Sequence, residues 1–345
     1  MNKILGESDK SKIEELKRIR QRNNDYAWML CDYLDQNPRL ITKDLMEESN
    51  PGGLLPDEAI YTALLSGFCG LNPDENPDDR ILLDEYFRRS VVKLDAKTYA
   101  EDPYYKNIRI PNVKFGRWEL KYEHYKAYEA FVCDEMILDP DFKEIQRIGF
   151  FDSDFSYPAV HEDGHEWMAI KPNETATIRF AVEAAHGKVA TFGLGMGYYP
   201  YLVHLKPNVE SITIIERSKD VIELFKTYIL PQFAHPEKVR IVCADAFEYA
   251  EKQMPAEKFD YAFADTWRDV SDGLPMYLRM KKLEYLNPHT EFSYWVEESL
   301  LSGYRWQMFD TIVDNAASYE EACRCLSDDG LRKFAAVRIK IEDAK

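Results

Sequence analysis

From Pro172 onward the sequence switches repeatedly between two periodicities, and that switching limits the fold more than any other feature. NETATIRFAVEAAHG (173–187) has helical spacing, with Asn173 able to cap it and Gly187 able to end it. KVATFGLG follows as a strand, YYPYLVHL as a short helix and SITIIE (211–216) as a second strand. SKDVIELFKTYIL (218–230) reads as a helix capped by Ser218, KVRIVCAD (238–245) as a strand and AFEYAEKQ as a helix. FDYAFAD (259–265), GLPMYLRMKKLEYL (273–286) and TEFSYWV (290–296) read as strand, helix and strand. Strands alternating with helices require crossover connections, so the fold class is α/β with a parallel, doubly wound sheet.

The rest of the chain is less regular. Residues 9–35 form a helix by the spacing of Ile13, Leu16, Ile19, Tyr26, Leu30 and Tyr33. SNPGGLLPDE (49–58) and NPDENPDD (72–79) are loops, separated by a helix over 57–68 and followed by another over 80–95. In FGRWELKYEHYKAYEAFV (115–132), Trp118, Leu120 and Tyr122 alternate as in a strand. Tyr122, Tyr125, Tyr128 and Phe131 instead recur every three, as on a helix, and such a stripe favours core. Short extended pieces fill 148–170, and 297–330 reads mostly helical before the alternating VRIKI (337–341). A chain of 345 residues then divides into a helical N-terminal extension (1–114), a mixed, β-rich segment (115–171) and the doubly wound domain (172–345).

Ligands of such sheets sit outside the carboxyl ends of the strands. The first strand ends in Gly193-Leu194-Gly195-Met196-Gly197, where missing side chains let a ligand approach the backbone. The next three strands end in Glu216, in Asp245-Ala246 and in Asp265. A carboxylate in the position of Glu216 can accept from ribose hydroxyls. Asp245 can accept from an exocyclic adenine amine, beside a backbone N–H of Ala246 or Phe247. Asp265 can hold an ammonium group or take a proton. The spacing G-x-G-x-G also matters: a dinucleotide turn wants G-x-x-G after its first pair, and Tyr198 or Pro200 stands there instead. Tyr198, Tyr199 and Trp267 read as packing groups near the pocket mouth.

FGLGMG, ITIIE, CADAF and FDYAFAD, in this order and spacing, resemble the class I S-adenosylmethionine-dependent methyltransferase superfamily. The resemblance covers residues 172–300 and implies a Rossmann-like domain. It implies that Gly193, Gly195 and Gly197 face the methionine part of the cofactor. It further implies that Glu216 binds ribose, that Asp245 and Ala246 bind adenine, and that Asp265 lies near the methionine end or the acceptor. The layout also resembles spermidine synthases, in which a β-rich segment precedes the core, here GFFDSDFSYPAV…HEWMAIKPNE. Aminopropyltransferases usually carry an Asp inside the glycine turn, and this chain has Met196 there. The implied activity is therefore methyl transfer from S-adenosyl-L-methionine to a small or medium acceptor, with Asp265 as first candidate for a base and His165 as second. Aminopropyl transfer, or cofactor binding without catalysis, are the alternatives.

Other functions are disfavoured by composition. The net charge of −17 repels phosphate backbones, so nucleic acid is a poor partner and a small molecule the better one. The DNA-methylating Asp/Asn-Pro-Pro-aromatic pattern is absent, since the fourth strand ends Asp265-Thr266-Trp267-Arg268. No apolar run approaches the ~20 residues needed to span a bilayer, and the N-terminus turns charged at once, so a cytoplasmic protein is expected. A homo-oligomer stays open. The six dispersed cysteines suggest reduced thiols. His161-Glu162-Asp163-Gly164-His165 matches the zinc-peptidase motif, but that motif needs a helix and Asp-Gly signals a turn, so no metal is expected. Arg268, Asp269 and Asp272 are loop residues with a weak claim on substrate.

Overall fold

The computed structural model describes residues 6–267 and 270–333, so Arg268, Asp269 and the VRIKI stretch lie outside it. The chain divides into two compact units, one of residues 1–99, 123–156 and 313–322, the other of residues 100–122, 157–312 and 323–345.

In the first unit the helix Glu7–Gln36 buries Ile13, Leu16, Ile19, Tyr26, Leu30 and Tyr33, the stripe expected from their spacing. The helix Asp57–Phe68 supplies Tyr61, whose ring stacks on Phe150 at 4.1 Å. The helix expected over 80–95 stops at Ser90. Val91–Leu94 is instead a strand, parallel to Ile148–Phe151, which also pairs antiparallel with Phe131–Val132. The β-branched Val91 and Val92 suit that pairing better than another helical turn. Alternation prevails in the ambiguous aromatic segment too: Trp118–Tyr125 is a strand, with Trp118 and Leu120 buried and Tyr122 exposed. That strand belongs to a four-stranded sheet, most of whose residues fall in the second unit, in the order Val113–Phe115, Trp118–Tyr125, Phe155–Glu162, His165–Ala169.

The second unit holds the doubly wound sheet. Its strands are β1 (Gly187–Phe192), β2 (Val209–Glu216), β3 (Val239–Cys243), β4 (Tyr261–Ala264) and β5 (Glu291–Tyr294). All five are parallel in the order β3-β2-β1-β4-β5, a Rossmann-like arrangement. Val189, Ala190, Phe192 and Ile212, Ile214, Ile215 are buried, as a sheet covered on both faces requires. Among the connecting helices, α1 (Pro172–Thr177) and α2 (Arg179–Ala184) replace the single helix expected over 173–187. Pro172 takes the first helical position, which suits its missing N–H, so Lys171 rather than Asn173 is the cap residue. Gly187 opens β1 at a φ of 61° instead of ending the helix. Then come α3 (Tyr198–His204), α4 (Lys219–Leu224) and α5 (Ala246–Lys252). Ser218 does cap α4, accepting from Val221 N–H at 3.3 Å. Asp272 lies within the helix Val270–Leu283. No helix among the described residues is long and apolar enough to cross a membrane.

Candidate functional site

The sheet's central strands bring the expected residues to one edge. Where β1 ends, the N–H of Gly193 donates to Ile215 O at 2.9 Å. Beyond β4, the N–H of Asp265 donates to Phe192 O at 2.8 Å. The ladder therefore continues one residue past each strand and fixes Gly193 and Asp265 side by side. This edge is the switch point, where β1 is flanked by β2 on one side and by β4 on the other and the strand order reverses, the usual crevice of such sheets.

The glycine turn needs its glycines. Gly193, Gly195 and Gly197 have φ of 97°, 50° and 76°. A Cβ on Gly193 would fall on the backbone carbonyl of Asp265, which cannot move aside. A Cβ on Gly195 would meet the sulfur of Met168. The turn is also tied from outside. Tyr104 donates its hydroxyl to Met196 O at 2.6 Å, and Tyr198 donates to Asp102 at 2.7 Å.

Next to the turn is a cavity of about 20 Å³, lined by Met168, Glu174, Gly193, Leu194, Tyr199 and Asp265 among others. One water fills about 10–15 Å³ on this measure, so the space suits a single small polar group. Among the described residues no Lys, Arg or His lines it. Burial, then the nearby carboxylates of Glu174 and Glu216, hold Asp265 well above the usual carboxylate range. Burial pushes Glu174 up to about 7, opposed by Lys171 and assisted by Glu166. Two acids that resist ionisation therefore border one small space.

The other expected residues have different surroundings. Glu216 is buried and already accepts from the N–H of Leu194 at 3.3 Å and of Ser218 at 2.7 Å. Its carboxylate thus braces the glycine turn while keeping lone pairs for a hydroxyl. Asp245 is exposed and caps α5, Oδ1 accepting from Phe247 and Glu248 N–H at 3.0 Å each. Neither Asp245 nor Ala246 lines the cavity, and Gly197 packs against Phe225. His165 is exposed and away from the cavity, and Trp167 meets Trp118 edge-on at 5.1 Å.

The zinc-like motif sits on a hairpin. Phe155–Glu162 and His165–Ala169 pair around Asp163 and Gly164, both at positive φ, so Glu162 faces His165 across the turn. Among the described residues no three His, Cys, Asp or Glu are placed to share a metal. That hairpin instead delivers Met168 to the glycine turn. Sequence alone singles out neither Met168 nor Glu174, nor the lining residues Ile170, Ile178, Thr191 and Phe263. The acidic first turn of α1 was visible as Glu174; its direction was not.

No protein-family model matches the chain, and no curated protein does. Ninety solved chains match in structure. One is a spermidine synthase from Thermotoga maritima, 19% identical over 43% of this chain and 55% of that one, with a TM-score of 0.32. Another is a spermidine synthase in complex with the transition-state analogue AdoDATO, 21% identical over 40% and 50%, with a TM-score of 0.31. The chain spans about half the length of these neighbours. Function at such similarity has to come from the chemistry of the site itself.

Proposed function

We propose that the chain is a group transferase whose donor is an adenosyl sulfonium with a cationic tail, which favours aminopropyl transfer from decarboxylated S-adenosylmethionine to a small amine. The acids of the cavity carry this reading: Glu174 and Asp265 line it, and no basic side chain among the described residues does. S-adenosylmethionine would bring a carboxylate against two acids. Its decarboxylated form brings an ammonium alone. The Asp that the spermidine-synthase resemblance wants inside the turn is Met196 here, and Glu174 offers a second acid from a different element. The cavity has the size of one polar group, so it would select the end of the tail rather than the adenosine. Glu216 is the proposed ribose ligand, and Asp245 with Ala246 the proposed adenine ligands.

When bound, the sulfonium supplies a carbon already activated for displacement, and positioning accounts for much of the rate. The chain's own tasks are to orient the tail and to take the proton that an acceptor amine loses. Asp265 is the proposed base, because it stands at the sheet edge and lines the cavity. Methyl transfer from S-adenosyl-L-methionine is the second reading, and Met196 favours it.

Calorimetry with S-adenosylmethionine, its decarboxylated form, 5′-methylthioadenosine and NAD tests the proposal. The decarboxylated donor should bind at least about tenfold tighter than S-adenosylmethionine, as expected when an unpaired carboxylate is kept out of an acidic pocket. Tighter binding of S-adenosylmethionine would hand the site to methyl transfer. Binding of NAD alone would end both readings.

A further inference from the structure

Glu174 and Asp265 give the cavity its charge chemistry, and its size is set by what stands beside them. At about 20 Å³ it holds one small polar group. Much of its boundary is fixed. Gly193 and Asp265 are tied into the ladder by main-chain hydrogen bonds. Tyr198 is tied to Asp102, and Tyr199 lies against Phe263 with ring centroids 4.3 Å apart. Met168 differs. It is half-buried on the hairpin strand, paired with Val160. Among the described residues it is the one unbranched apolar side chain that lines the cavity. Its sulfur and terminal methyl occupy the space over Gly195 that a side chain there would take. Rotatable bonds along its whole length let a methionine fill such a gap.

We infer that Met168 determines how large a tail the cavity takes, admitting an amine on an otherwise unsubstituted carbon and rejecting one whose carbon also carries a carboxyl-sized group. This rests on the cationic-tail reading above and adds size to charge as a ground of selection. The two acids repel a carboxylate by its charge. Met168 excludes the same group by its volume, charged or not. Shortening Met168 to Ala removes Cγ, Sδ and Cε, as many heavy atoms as a carboxyl or carboxamide group contains. The space gained lies against the glycine turn, where Gly195 has no side chain to refill it.

The test is calorimetry on wild type, Met168→Ala and Met168→Leu. The probes are decarboxylated S-adenosylmethionine, the carboxamide of S-adenosylmethionine and 5′-methylthioadenosine. The carboxamide has the bulk of the carboxylate without its charge, and methylthioadenosine has no tail amine. Wild type should prefer the decarboxylated donor over the carboxamide by about tenfold or more, the usual result of forcing extra atoms into a closed space. In Met168→Ala that preference should shrink to about threefold or less, with methylthioadenosine bound as before. Met168→Leu, with as many side-chain heavy atoms, should keep the wild-type preference. Loss of methylthioadenosine binding in Met168→Ala would overturn the inference, because Met168 would then support the turn rather than limit the tail. The same preference in Met168→Ala as in wild type, or no preference in wild type, would overturn the role of Met168 and leave the donor class standing. Failure of wild type to bind any adenosyl sulfonium would overturn this inference together with the proposed function.

Discussion

Glu174 and Asp265 keep their protons in the folded chain to a higher pH than in the unfolded one. For Glu174, burial raises the carboxyl to about 7, while an unfolded glutamate ionises near the ordinary value of about 4.3. Below that ordinary value both states are protonated and the group costs nothing. As pH rises towards 7, the unfolded chain releases a proton that the folded chain retains, so stability falls. The loss is at most about 4 kcal/mol for this residue, complete once the pH passes about 7. Glu174→Gln should flatten that decline and raise the thermal midpoint at pH 8. Thermal unfolding followed from pH 4.5 to 8.5 checks it, and an unaltered slope in the variant would show that Glu174 does not titrate there. Asp265 rises for the same first cause, so some decline should survive in Glu174→Gln.

Helix starts and strand ends carry most of the site. Asp245 illustrates a double use: it caps α5 through two backbone N–H groups and is also the proposed adenine ligand. Asp245→Ala should cost about 1 kcal/mol by loss of the cap, and Asp245→Asn much less. Urea titrations of the two variants decide this, since an Ala variant as stable as wild type would mean the cap is idle. The strands themselves were legible, because Val189–Phe192, Ile212–Ile215 and Tyr261–Ala264 are apolar runs of strand length between turn signals. The glycine turn and its neighbouring acids followed from those strand ends. Other features were hidden for physical reasons. The break at Ile178 interrupts spacing that is helical on both sides, and a one-residue kink leaves no mark on periodicity. Val91–Leu94 is a strand only because Ile148–Phe151 lies beside it, a partner more than fifty residues away. Glu174 meets Asp265 only through the folding of the sheet, and the Asp163-Gly164 turn fixes which residue of its hairpin reaches Gly195.

A net charge of −17 gives the protein a field that draws in cations well before contact. The proposed donor, with its sulfonium and ammonium, should feel that field, and neutral 5′-methylthioadenosine should not. Raising ionic strength from about 0.01 to 0.15 M shortens the screening length from about 30 to 8 Å. The association rate of the cationic donor should therefore drop several-fold in stopped-flow measurements, while that of the neutral nucleoside stays level. Equal salt response of the two would remove any part for long-range attraction.

The edge of the sheet divides its labour. Gly193 and Asp265 are located by main-chain hydrogen bonds to Ile215 and Phe192, and those bonds are indifferent to side-chain identity. Glu174, Tyr199 and Met168 reach the cavity as side chains from separate elements. The floor is thus written in backbone and the walls in replaceable parts. An engineer wishing to admit a different tail could exchange the walls one at a time and leave the floor level, retooling the lock without recasting its frame.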